Sequence, residues 1–259
     1  NSFPDKTQKE RNQIARKFYR HFCDTAFETL YFDRISDKEG KSCVTYLNPE
    51  LPNSYLDQGR DVIGFLGHYN NWEWFSNWPL YSTHRFYPIY KKLKSGSFER
   101  FYRHLRGRFG AIPLERASTF RQLYSDHQKK IPTLSAFLFD QTPRIYEIHH
   151  WVSFLNQETP VVLGAEKVAK KIDAVVVFLH SRKIKRGHYE AYYELVTEHA
   201  GACPKFEITD KCTRLLEQQI IAQPEFWLWS HKRWKHKRDK STENTDSIHF
   251  LEEQSKTTN

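Results

Sequence analysis

The pattern of apolar and polar positions divides the chain into short apolar runs and longer amphipathic stretches. "DVIGFLG" (61–67), "RFYPIY" (85–90), "AIPL" (111–114) and the apolar part of "IPTLSAFLFDQTP" (131–143) read as strands, and so does "IDAVVVFLH" (172–180). Residues 7–35 carry Ile14, Phe18, Phe22, Ala26 and Leu30 at helical spacing with polar residues between them. That stripe predicts a helix packing its apolar face into a core. Its other faces are basic (Arg11, Arg16, Lys17, Arg20), so a membrane-surface helix is the alternative.

Further helices are predicted over "WEWFSNWPLY" (72–81), capped by Asn70 or Asn71, and over "SFERFYRHLRGRFG" (97–110), ending at Gly110. "STFRQLYSDHQ" (118–128) reads as a helix capped by Ser118. "TPVVLGAEKVAKKIDAVVVFLH" (159–180) reads as strand or loop, glycine turn, helix and strand. "EITDKCTRLLEQQIIAQPEFWLW" (207–229) reads as a helix ended by Pro224. Strands alternating with helices predict one α/β domain with a mostly parallel sheet. The expected limits are 1–238, with an N-terminal helical segment over about 1–40 and an α/β core over about 41–238. Residues 239–259 read as a polar, disordered tail.

Composition narrows the class. At 259 residues, 39% hydrophobic and 27% charged, the chain is globular in type. Its formal charge of +9 points to an anionic partner: nucleic acid, anionic lipid, a phosphorylated substrate or an acidic protein. Four cysteines without a CxxC pair argue against a disulfide scaffold or zinc knuckle and fit a reducing compartment. No apolar run reaches the roughly 18–20 residues of a membrane span.

The chemistry centres on "GHYNNWEW" (67–74), where His68 and Glu73 stand five apart. Composition alone produces such a pair once or twice by chance, roughly. On one continuous helix five residues separate side chains by about 140°, so the two meet only if residues 69–71 turn the chain between strand and helix. Glu73 would then hold one imidazole nitrogen and leave the other as a base. An unpartnered histidine and a helix-starting glutamate are the plainer reading. "KKLKSGSFERFYRHLRGR" (91–108) offers an anion-binding surface with Lys91, Arg100 and Arg108, or merely a solvated face. "HKRWKHKR" (231–238) interleaves cations with Trp234, as nucleic-acid or headgroup surfaces do. "FDQTP" (139–143) ends a strand with Asp140 and Gln141, a hydrogen-bonding loop or a capped turn.

In chain order, "NSFPDKT", "IARKFYRH", "GHYNNWEW", "YKKLKSGSFERFYRHLRGRFGAIPL", "FLFDQTP", "HHWVSFLNQETPVVLGAEKVAKK" and "LWSHKRWKHK" resemble the bacterial late acyltransferases of lipid A biosynthesis, within the glycerolipid acyltransferase superfamily. The resemblance spans residue 1 to about 238. It implies an HxxxxE site at His68 and Glu73. It implies O-acyl transfer, without metal or cofactor, from an acyl carrier protein or acyl-CoA thioester to a hydroxyl of a lipid A precursor. The family's basic residues fall in 91–121, with Arg108 and Arg116 foremost, and its DQ pair falls on Asp140 and Gln141. The resemblance further implies work at an anionic membrane surface, on the cytoplasmic face of the bacterial inner membrane. Members carry a hydrophobic helix ahead of the segment like "NSFPDKT", so an anchor before Asn1 is expected. One departure is Asn70, where the family more often has glycine. Rival readings are the same fold acting on another lipid and a nucleic-acid-binding module; specific nucleic-acid binding is not expected.

Overall fold

An apolar run that is buried at every position is covered on both faces, and β2 (Val62–Leu66) is such a strand. The computed structural model describes residues 1–238; the predicted tail lies outside the described residues. Before β2 come α1 (Gln8–Phe32), α2 (Asp37–Cys43), β1 (Val44–Tyr46) and α3 (Glu50–Asp57). A 3-10 helix (Trp72–Leu80), β3 (Arg85–Tyr90), α4 (Gly96–Gly107), β4 (Leu114–Glu115), α5 (Thr119–Gln128) and β5 (Thr133–Leu138) follow. Then come β6 (Trp151–Phe154), β7 (Gln157–Pro160), α6 (Gly164–Lys171), β8 (Val175–Lys185), β9 (His188–Thr197) and α7 (Glu207–Ala222).

The result is the α/β architecture expected. One seven-stranded sheet has the order β1-β9-β8-β2-β5-β3-β4. Every pairing in it is parallel except β8 with β9. One apolar cluster packs Trp74, Trp78, Phe32 and Leu105 on one side, and another packs Phe65, Phe178, Leu216 and Trp227 on the other. Burial on both faces is what makes β2 and the first five residues of β8 (175–179) continuously apolar.

Several elements depart from their sequence signals for identifiable reasons. Residues 72–80 coil as a 3-10 helix, with Pro79 inside it and with Trp74, Phe75 and Trp78 all buried. "AIPL" contributes only its last residue to a strand: Ile112 makes one bond to the carbonyl of Phe86, and Pro113 has no N–H to continue the ladder. Gly110, with φ 98°, lies two residues beyond the helix C-cap, Arg108. Ser118 stands at the N-cap of α5, but its hydroxyl donates backward to the carbonyl of Glu115. The β6–β7 hairpin turns through Leu155 and Asn156, both with positive φ, without the Asn-Gly pair that announces such turns. β9 pairs along β8 for most of its length, with Tyr189, Ala191 and Tyr193 inward.

α1 departs furthest from its sequence signal. Thr7 and Glu10 form a capping box that starts it. Its buried residues are Phe18, His21, Thr25, Glu28, Thr29 and Phe32. Of the predicted core stripe only Phe18 is buried; Phe22, Ala26 and Leu30 point outward. The inward face is polar because the chain it covers is polar. Glu28 accepts from Asn71 Nδ2 (2.9 Å), the Gly187 N–H (2.8 Å) and the Tyr189 hydroxyl (2.7 Å). A buried carboxylate needs such partners, and this one has three. Among the described residues no helix is long and apolar enough to cross a membrane.

Candidate active site

β2 and β5 are parallel neighbours, with Leu66 opposite Leu138. His68 and Asp140 each lie two residues past that pair, at the carboxyl ends where α/β sheets place ligands. The register therefore sets them side by side. His68 Nδ1 lies 2.6 Å from Asp140 Oδ1, and the His68 main-chain N–H donates to Asp140 Oδ2 at 2.9 Å. Trp227 Nε1 donates to the same Oδ2 at 2.7 Å. Burial pushes the Asp140 carboxyl up, but the imidazole and the bonds from His68 and Trp227 outweigh it and hold it at about 2. The ionised carboxylate can only accept, so Nδ1 carries the proton. Nε2 then presents its lone pair, which faces the Gln141 amide nitrogen at 3.2 Å. Trp72 packs edge-on against the ring, 5.1 Å between centroids.

The turn that the His68–Glu73 spacing demanded is present. Tyr69 pairs with Trp227 in an isolated bridge, Asn70 is left-handed (φ 55°), and the 3-10 helix begins at Trp72. The expected partnership is not formed, however. The carboxylate on the imidazole is Asp140. Both oxygens of the buried Glu73 receive Arg106, Nε to Oε2 at 2.8 Å and Nη2 to Oε1 at 2.6 Å. Burial works against the Arg106 charge, but Glu73 prevails and raises its pKa. Tyr90 and Tyr102 lie against the same guanidinium at 5.3 and 5.2 Å.

The other basic candidates disperse. Arg108 donates to the main-chain carbonyls of Asp33 and Ile35, so it ties down the end of α1. Arg116, beyond β4, pairs with Glu147 at 2.8 Å. Lys91 and Arg100 are exposed on the segment after β3 and on α4, and Arg100 donates to the Ser97 hydroxyl at 3.5 Å.

Two partners were not foreseen: Arg106, two residues before the favoured Arg108, and the C-terminal segment. Asn70 N–H bonds the Phe226 carbonyl and Leu228 N–H bonds the His68 carbonyl, at 2.9 and 3.1 Å. The stretch read as an exposed basic and aromatic stripe is thus partly interior. Trp234 donates to Thr159 and packs near Trp227 and Phe154, and His231 Nε2 accepts from the Thr142 N–H. Arg233 is 3% exposed and bonds the Pro160 carbonyl at 2.6 Å. Its burial lowers the guanidinium pKa to about 10, against the pull of Asp140. The density of tryptophan in "WLWSHKRW" was the readable sign of burial.

Two comparisons bear on this geometry. The family model described as bacterial lipid A biosynthesis acyltransferase matches residues 1–236. Among curated proteins, none matches.

Proposed function

Because the chain belongs to the bacterial lipid A biosynthesis acyltransferase family, we propose that it moves an acyl chain from an acyl carrier protein or acyl-CoA thioester to a hydroxyl of a lipid A precursor, with His68 as general base. The observation that carries this reading is the Asp140–His68–Gln141 line at the end of β2, with Nδ1 on a carboxylate and Nε2 as acceptor.

In this mechanism His68 Nε2 takes the proton of the acceptor hydroxyl as its oxygen attacks the thioester carbonyl. Asp140 fixes the ring and balances the imidazolium that forms. The tetrahedral intermediate collapses, the C–S bond breaks, and the imidazolium returns the proton to the leaving thiolate. The transfer is direct, with no covalent acyl-enzyme. Glu73 acts through Arg106: from the first turn of the 3-10 helix that follows the histidine it holds a cation whose remaining N–H groups can meet a carbonyl oxygen or a substrate phosphate. Gln141 lies where it can orient the acceptor. Arg116, Lys91 and Arg100, at the same end of the sheet, offer charge to a phosphorylated lipid or an acidic carrier. The reaction is placed at the cytoplasmic face of the inner membrane.

The test is an acyl-transfer assay with purified protein, several acceptor lipids and both thioester donors. Acylation of a lipid A precursor supports the reading. Acylation of a phospholipid or other glycolipid in its place rejects this acceptor, and transfer to none of them rejects the activity.

A further inference from the structure

α1 is built inside out for a helix in water. Its inward side carries His21, Thr25, Glu28 and Thr29, while Tyr19, Phe22, Cys23, Ala26, Phe27, Leu30 and Tyr31 form its outward arc. Phe27 is 74% exposed, Tyr19 65% and Leu30 59%. Such an arc along consecutive turns is not the scatter of single apolar residues usual on surfaces. Charge is confined to its margins. Asp24 is held by Lys183 and Arg186 at 3.0 and 2.9 Å. Arg16 precedes the band, Arg20 stands beside Tyr19 in its first turn, and Arg34 follows it, all three exposed. Beyond the helix, Asp33 pairs with His104 at 3.3 Å, Asp37 is exposed in the first turn of α2 beside Lys38, and Glu39 is bonded into the capping box of Ser36.

We infer that this outward face of α1 is the surface by which the protein lies on an anionic lipid bilayer, the apolar arc in the acyl boundary and the flanking arginines among the headgroups. The proposed function is used here only to choose lipid over other apolar partners. Three features support that choice. Apolar residues flanked by cations match the layering of an anionic membrane surface. Tyr19 and Tyr31 bracket the band, and tyrosine favours the boundary between hydrocarbon and water. A second copy docking on the same face would bring Arg16, Arg20 and Arg34 of both chains together, against like-charge repulsion. The orientation also serves the site. Through Glu28 to Asn71, and Arg108 to the end of α1, the helix is bonded to both segments that frame His68 and Arg106.

The test uses the whole chain and vesicles of zwitterionic lipid with or without about one-third anionic lipid. A polarity-sensitive probe is placed on exposed Cys23 in a Cys203→Ser background, since Cys43 and Cys212 are buried. The probe should shift to the blue when anionic vesicles are added. Phe27→Glu combined with Leu30→Glu should weaken co-sedimentation by at least about tenfold with an unchanged thermal melt. Binding without a probe shift, or wild-type binding by the double variant, would overturn the inference. So would a dimer in sedimentation velocity that the double variant abolishes. The two readings fail separately: vesicle binding lost on these substitutions with no acyl transfer leaves the surface standing, whereas normal transfer in mixed micelles with insensitive binding removes only the surface.

Discussion

Asp140→Asn isolates the role of the carboxylate on His68. Oδ2 accepts two N–H groups, from His68 and from Trp227 Nε1, while Oδ1 faces His68 Nδ1. An asparagine has one acceptor oxygen, and the two N–H donors hold it on the Oδ2 side. The amide NH2 then faces Nδ1 and forces that nitrogen to be the acceptor. The ring's proton moves to Nε2, where the base is needed, and Nε2 can no longer take the acceptor's proton. Loss of the correct tautomer and of charge balance lowers kcat by about 10²–10⁴, or roughly 3–5 kcal/mol of transition-state stabilisation. The assay is single-turnover transfer of a labelled acyl chain in mixed micelles. A second readout comes from acid unfolding. The Asp140 carboxyl is depressed from 3.8 to about 2, so its contribution is fully present above about pH 4 and is lost as pH falls through 2. That contribution amounts to about 2 kcal/mol, and the variant should lack this acid limb. A folded Asp140→Asn enzyme with kcat within a factor of about two of wild type would refute the tautomer argument.

Arg106→Ala leaves the Glu73 carboxylate buried without its cation and should cost about 3–5 kcal/mol in urea unfolding; adding Glu73→Ala should recover part of that loss, about 1–3 kcal/mol of coupling. Asn70 adopts φ 55° with its amide on Ser181 Oγ (3.0 Å), so Asn70→Gly should stay within about 1 kcal/mol of wild type while Asn70→Ala loses about 1–2 kcal/mol more by thermal unfolding. His21 is held neutral to about pH 4, first by burial and then by Lys183, while unfolded histidine titrates near 6.5. Stability is therefore full above 6.5 and should fall by about 3 kcal/mol as pH drops to 4; His21→Gln should flatten that slope in urea titrations.

Local pattern carried the strands well where burial was two-sided. β2, β3, β5 and β8 announced themselves as apolar runs, and the carboxyl end of β2 pointed at His68. What local pattern lacked was register. His68 and Asp140 are 72 residues apart and meet only because Leu66 pairs with Leu138. Local pattern therefore leaves "FDQTP" as a hydrogen-bonding loop or capped turn, and only the resemblance singles out Asp140 and Gln141. Glu73 misled for a related reason: a glutamate near a histidine in sequence was given to it, whereas Arg106, brought by α4, claims both its oxygens. The α1 stripe failed because a helical period shows which residues share a face but not which face turns inward. Buried polar partners such as Asn71 and Tyr189 decided that, and they lie far along the chain. The left-handed turn at Asn70 is one glycine adopts without strain, which accounts for the glycine the resemblance leads one to expect there.

The central claim is that His68 is the general base of an O-acyl transfer to lipid A. Mass spectrometry of a lipid A precursor incubated with a thioester donor and either wild-type protein or His68→Ala tests it most directly. With thermal unfolding showing the variant to be folded, the account predicts one added acyl chain with wild type and a rate lower by at least about 10²-fold with the variant. A folded His68→Ala protein that acylates the precursor at near wild-type rate would contradict it.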